Sequence, residues 1–156
     1  MIDAKRRILL KGSLAAGAVG VAVGAGLLTP RAVLAAWPEA AFKAQSVDDA
    51  LKELLGTNTH EASDTIKIKA PDIAENGAVV PVTVESDAEN ISSISIIAAG
   101  NQTPLIASFN LGEGAQGFVS TRIKMAKSGD VVAILTADGR HFSARHHIRV
   151  ASGGCS

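Results

Sequence analysis

From residue 64 onward the side chains alternate with a period of two, and this alternation restricts most of the chain to β architecture. Ile66 and Ile68 alternate with Lys67 and Lys69, Val80, Val82 and Val84 with Val79, Pro81 and Thr83, and Val119, Thr121, Ile123 and Met125 with Ser120, Arg122 and Lys124. Successive side chains of a strand point to opposite faces, so each run presents one apolar and one polar face. Further strands are expected near 91–98, 105–111, 131–137 and 140–150. The breaks between them are turn chemistry: Glu75-Asn76-Gly77, Ala99-Gly100-Asn101, Gly112-Glu113-Gly114, Lys127-Ser128-Gly129-Asp130 and the tight Asp138-Gly139. About seven short strands at this spacing predict an antiparallel β-sandwich of immunoglobulin-like type over residues 63–151. Pro81 inside a strand pattern predicts an edge or a bulge. The glycine-rich stretch 112–117 joins two strands rather than opening a helix, so it reads as a hairpin loop and not as a phosphate cradle.

Before residue 64 the period is helical. Ser46 stands where an N-cap belongs, Asp48 and Asp49 fall in the first turn, Val47, Leu51, Leu54 and Leu55 share one face, and Gly56 supplies the stop. An earlier turn or helix is expected over 38–44, with Trp37 and Phe42 as packing groups. Residues 37–62 thus form an N-terminal helical segment lying on the larger core.

Residues 1–36 are different in kind. Lys5-Arg6-Arg7-Ile8-Leu9-Leu10-Lys11 precedes an uncharged stretch of Gly, Ala, Val and Leu up to Pro30, followed by Arg31-Ala32-Val33-Leu34-Ala35-Ala36. A cationic region, an apolar region and a small-residue cleavage site make an export leader. Gly12, Gly17, Gly20, Gly24 and Gly26 make the apolar stretch a poor membrane helix. The paired arginines resemble the twin-arginine export signal, which places the mature protein in a bacterial periplasm.

The whole chain has a net charge of zero, which argues against a nucleic-acid binder. Without residues 1–36 the balance is 10 basic to 14 acidic groups. It is also uneven: residues 37–121 hold four basic and twelve acidic groups, whereas residues 122–156 hold six basic and two acidic together with three of the four histidines. On the last expected strand, Phe142, Ala144, Ile148 and Val150 share a face with Arg140 and His146, and His141, Ser143, Arg145, His147 and Arg149 share the other. The second face reads either as a solvated sheet surface or as an electropositive surface for small anions, with Arg145, His147 and Arg149 as the anion-facing groups. Adjacent His146 and His147 point to opposite faces and cannot chelate one metal together. His60 stands alone in a polar loop. Neither a metal nor another cofactor is expected.

Cys155 is the only thiol in the chain, which excludes an intrachain disulfide framework and a Cys-rich zinc cluster. It follows Ser152-Gly153-Gly154 directly after a strand. Gly153 and Gly154 make a flexible tether, and the five residues from Ala151 to Cys155 reach at most roughly 17 Å, enough to enter a neighbouring protein's cleft. An unperturbed thiol is only about 3% thiolate at pH 7, so a partner must activate it or hold a group already attached to it. A nucleophile on a loose tail lacks the fixed base and oxyanion donors that catalysis needs, so no enzyme is expected. Two readings stay open on these residues: a carrier arm over 152–156, and a tail whose cysteine forms an intermolecular disulfide. A third is a module that binds sulfur anions reversibly.

Several segments together resemble the SoxY family, the sulfur-carrier subunits of the bacterial Sox thiosulfate-oxidation system. They are the twin-arginine leader, the helix from Ser46 to Gly56, Ile66-Lys67-Ile68-Lys69-Ala70-Pro71 with the following Asp72-Ile73-Ala74-Glu75-Asn76-Gly77-Ala78-Val79-Val80-Pro81-Val82, Ala107-Ser108-Phe109, Ser120-Thr121-Arg122-Ile123-Lys124-Met125, and the Gly153-Gly154-Cys155 terminus. The resemblance implies a heterodimer with SoxZ, a second immunoglobulin-like protein, and covalent attachment of thiosulfate to Cys155 by the c-type cytochrome SoxAX. It implies further work on the tethered group by the sulfate-releasing hydrolase SoxB and, in some organisms, the sulfane dehydrogenase SoxCD. The family's tail continues with two glycines after the cysteine, where this sequence has Ser156. That departure is expected to bring the thiol close to a terminal carboxylate, whose charge disfavours the thiolate.

Overall fold

The computed structural model describes residues 38–151; the expected leader 1–36, Trp37 and the expected arm 152–156 lie outside the described residues. The described residues open with two helices, α1 (Glu39–Lys43) and α2 (Val47–Leu55). The capping expected of α2 is present: Ser46 Oγ accepts from Asp49 N at 3.1 Å, and Gly56 ends the helix in the left-handed region (φ +75°), donating its N–H to Lys52 O at 2.9 Å. Among the described residues no helix is long and apolar enough to cross a bilayer.

Nine strands follow among the described residues: β1 (Glu61–Ala62), β2 (Ile66–Lys69), β3 (Ile73–Ala74), β4 (Val80–Ser86), β5 (Ile91–Ala98), β6 (Leu105–Asn110), β7 (Gly117–Ile123), β8 (Gly129–Ala137) and β9 (Arg140–Val150). They form an immunoglobulin-like sandwich of two sheets. One runs β1-β9-β8-β5-β6 with β3 also on β9, and the other runs β2-β4-β7. All seven expected strands are there. Two-residue strands β1 and β3 are additional, and they depart from the expected antiparallel pattern, because each pairs in parallel with β9 along the same edge. β1 lies inside the segment expected to be helical, so that segment hands over to the sheet before residue 62.

Two details correct or refine the reading from sequence. Stretch 112–117 is not a hairpin loop: β6 belongs to the larger sheet and β7 to the smaller, so the connection crosses from one layer to the other. Pro81 sits in β4, the middle strand of the small sheet, yet β2 pairs only with Thr83–Ser86. At Pro81 the strand is therefore locally an edge, where the missing N–H interrupts no ladder on that side.

The core between the sheets is aliphatic, with Val80, Val82, Val84, Ile94, Ile96, Val131, Leu135 and Ile148 fully buried. On the outer side of the large sheet Ile97, Leu105 and Ile134 meet Ala41, Ala50 and Leu51 of the helices. Strands β5 and β8 are thus covered on both faces. Their sequences Ile94–Ala98 and Val131–Leu135 read as nearly continuous apolar runs for that reason.

Candidate functional site

Strand β9 is the element that carries the chain to the expected arm, and its last residues are held from both sides. On one side β8 pairs Asp130 with His147 and Gly129 with Ile148. On the other β3 pairs Ile73 with Arg149 and Ala74 with Val150, and Arg149 N donates to Asp72 O and Ala151 N to Ala74 O, both at 2.9 Å. Val150 N is left facing away from that ladder and donates to Ser128 Oγ at 2.9 Å. Turn 75–79 closes over the same place. Asn76 Oδ1 accepts from Ala78 N at 2.9 Å, and Met125 N donates to Gly77 O at 2.7 Å. A Cβ at Gly77 would fall 2.5 Å from Met125 O and 2.8 Å from Val150 Cγ1, so glycine permits this contact. Backbone order is enforced up to Ala151, four residues before Cys155. Cys155, Gly153 and Gly154 lie outside the described residues.

Arg145, His147 and Arg149 are exposed on one face of β9, as the alternation predicts. They are not equivalent. His147 Nδ1 lies 2.7 Å from Asp130 Oδ1 on the neighbouring strand, whereas Arg145 and Arg149 have no ion-pair partner among the described residues. Toward its start the same face is not solvated as the sequence suggested. Ser143 is only 5% exposed, because it lies beside Ile134 in the part of the sheet that the helices cover. His60, which stood alone in the sequence, has its Nδ1 2.9 Å from Ser143 Oγ. A contact across 83 residues leaves no local signal in the sequence.

His146 faces the sandwich interior. Its Nε2 is enclosed by protein and lies 3.2 Å from Asp72 Oδ1, within ion-pair range but out of line for a hydrogen bond. The two adjacent histidines thus address two different carboxylates on opposite faces. Among the described residues no three His, Cys, Asp or Glu side chains gather in a way that could hold a metal. The two larger clefts, of about 490 and 410 Å³, lie at the other end of the sandwich, around Glu89–Ser92 and Leu111–Ala115 and around Glu85–Ala88 and Phe118. A smaller cleft of about 370 Å³ runs beside Asp64, Ser143 and Arg145.

Comparison with known proteins places this geometry. No curated protein sequence matches the chain at a significant level. Among solved structures, the sulfur carrier protein SoxY from Chlorobium limicola f thiosulfatophilum is 38% identical, covers 68% of this chain and 96% of its own, and superposes with a TM-score of 0.62. A superoxide reductase (neelaredoxin) from Ignicoccus hospitalis, at 22% identity, covers 68% of this chain and 93% of its own with a TM-score of 0.51, a likeness of fold alone. The family described as sulfur oxidation protein SoxY matches residues 51–155, from the middle of α2 through every strand to the cysteine. The chain belongs to the SoxY family.

Proposed function

We propose that the protein is a periplasmic carrier that holds thiosulfate-derived sulfur intermediates covalently on Cys155 and presents them to the enzymes of a Sox system. What carries this reading is the family match running through residue 155, on a chain whose last strand is fixed up to Ala151 and whose single thiol follows four residues later. A rigid strand end followed by Ser152-Gly153-Gly154 combines a defined point of departure with free rotation beyond it.

Loading is an oxidation. The Cys155 thiol loses its proton, a bond forms between its Sγ and the terminal sulfur of thiosulfate, and two electrons leave to a c-type cytochrome, the role of SoxAX. Hydrolysis by SoxB then releases sulfate, with water supplying the oxygen, and SoxCD oxidises the remaining sulfane sulfur where it is present. SoxZ is the heterodimer partner, and the twin-arginine leader accounts for the compartment. The carrier supplies reach, and its partners supply the base and the electron acceptor, so the chain itself is not an enzyme.

The exposed guanidinium groups of Arg145 and Arg149 are free to attract the anionic sulfonate when the arm folds back, while His147 does so only by leaving Asp130. Intact-mass spectrometry after incubation with thiosulfate and the oxidising cytochrome tests the reading. The expected result is the addition of one S2O3 group on Cys155 and none on Cys155→Ser. A spectrum of unmodified thiol under turnover, or turnover undiminished in Cys155→Ser, would refute the carrier and leave the disulfide tail.

A further inference from the structure

The end of β9 is held by less than its middle. β8 pairs with it only as far as Ile148, which lies opposite Gly129. Past that point the backbone of Arg149–Ala151 rests on the two-residue strand β3, through Arg149 N on Asp72 O and Ala151 N on Ala74 O, and on Ser128 Oγ at Val150 N. One side-chain contact ties the start of β3 to β9 from within the sandwich: Asp72 Oδ1 lies 3.2 Å from His146 Nε2. That nitrogen is enclosed by protein and has no hydrogen-bond partner, whereas the carboxylate is open to water. A ring nitrogen shut away from water depends on this one contact for its electrostatic balance.

The groups around the imidazole leave Asp72 as its partner. On the same face of β9 its neighbours are Ala144 and Ile148, with Arg140 at the far end of the strand, and on β8 Val131 stands opposite, between Gly129 and Ala133. β2 turns Ile66 and Ile68 inward and Lys67 and Lys69 outward, and β3 turns Ala74 inward. Asp130, Arg145, His147 and Arg149 belong to the other face of the large sheet. Exposed Asp64 and Glu75 flank β2 and β3, but among the described residues no carboxylate except that of Asp72 comes within 4 Å of His146.

We propose that His146 and Asp72 form a proton-dependent clasp that sets the length of the tether. With an imidazolium the contact is an ion pair, β3 stays zipped to Arg149–Ala151, and four residues from Ser152 to Cys155 extend roughly 14 Å. When the ring gives up a proton, a neutral N–H or a bare lone pair faces the carboxylate and the contact weakens. β9 then unzips more often to Ile148, and a tether of seven residues from Arg149 to Cys155 extends roughly 24 Å. The stability that the clasp adds is thus present at low pH and lost as pH rises through the range where imidazoles titrate. The inference rests on the carrier reading for what the extra length serves, and adds that the reach is set by pH.

The test uses the full mature chain without partners. Amide hydrogen exchange is followed by NMR at about pH 5.5 and about pH 8 and converted to protection factors, with the amides of β8 as internal reference. Arg149 and Ala151 are expected to be about threefold better protected at the lower pH, the scale of an ion pair with one exposed member. Asp72→Asn and His146→Gln are each expected to bring that ratio to one, and Asp72→Asn, at an exposed position, serves alone should His146→Gln fail to fold. A nitroxide attached to Cys155 is expected to broaden amides further along β9 at the higher pH in the wild type, and equally at both in Asp72→Asn. Equal protection at both pH values, or a ratio retained in Asp72→Asn, overturns the clasp even where Cys155 takes its adduct normally. The expected ratio on a chain that takes no adduct from thiosulfate and the oxidising cytochrome upholds the clasp and refutes the carrier reading instead.

Discussion

Gly77 shows how much a single missing side chain can position. Its carbonyl accepts from Met125 N while its Cα faces Val150, and the space for a Cβ is already occupied by a backbone oxygen and a methyl group. Gly77→Ala is therefore expected to destabilise the fold by about 1–3 kcal/mol, read as a lower urea midpoint at unchanged m. Gly56 serves a different need. Nothing lies within 4 Å of where its Cβ would stand, but its φ of +75° strains any L side chain, so Gly56→Ala is expected to cost only about 1 kcal/mol. Ser128 is the other residue that fixes the strand end. Removing its hydroxyl in Ser128→Ala leaves Val150 N to water, with an expected loss of about 1 kcal/mol of local stability and faster hydrogen exchange at Val150 while the amides of β8 stay protected. Unchanged exchange at Val150 would show that Ser128 does not brace the base of the arm.

Among the elements, α2 shows what the helices contribute. It is a short helix that could not persist alone, and it exists because Leu51, with Ala50 and Ala41, covers Ile97, Leu105 and Ile134 on the outer side of the large sheet. Leu51→Ala is expected to cost about 2–5 kcal/mol, with loss of the helical circular dichroism at a lower temperature than the β signal if the helical layer opens first. The helix itself was legible because Ser46, Asp49 and Gly56 mark its ends in local code. Strands β4 and β7 were legible for a similar reason: one face is buried and one is solvated, so burial writes itself as alternation. β8 was expected only as a further strand near 131–137, without an alternation to mark its faces, since both are covered. The bracing of the arm left no trace in sequence: β3 is two residues long, and its partners on β9 lie 76 positions away. Cys155 stood out as the one thiol on a glycine tether, whereas the surroundings of its strand depend on long-range parallel pairing that no local pattern encodes.

On the proposed carrier reading, the groups that stabilise the fold are separated along the chain from the residue that would bear the cargo. The core lies between the sheets and beneath the helices, and the backbone hydrogen bonds that border β9 run as far as Ala151 N on Ala74 O. Exposed Lys124, Lys127, Arg145 and Arg149 share the end of the sandwich where β9 finishes with exposed Asp72 and Glu75, while exposed Asp87, Glu89 and Glu113 share the other end with Arg140. A carrier benefits from this separation, because cargo can be added and removed at the tail without altering the packing that keeps the domain folded. A mature chain ended at Ala151 is accordingly expected to melt within about 2 °C of the full chain, since a change of 1 kcal/mol would shift a domain of this size by about 4 °C. The same shortened chain is expected to take up no sulfur from thiosulfate and its oxidising partner, whatever their concentration. Differential scanning calorimetry and intact-mass spectrometry on one preparation read both quantities. A fall in melting temperature beyond about 5 °C would mean that residues 152–156 stabilise the sandwich, and that fold and cargo site are not separate.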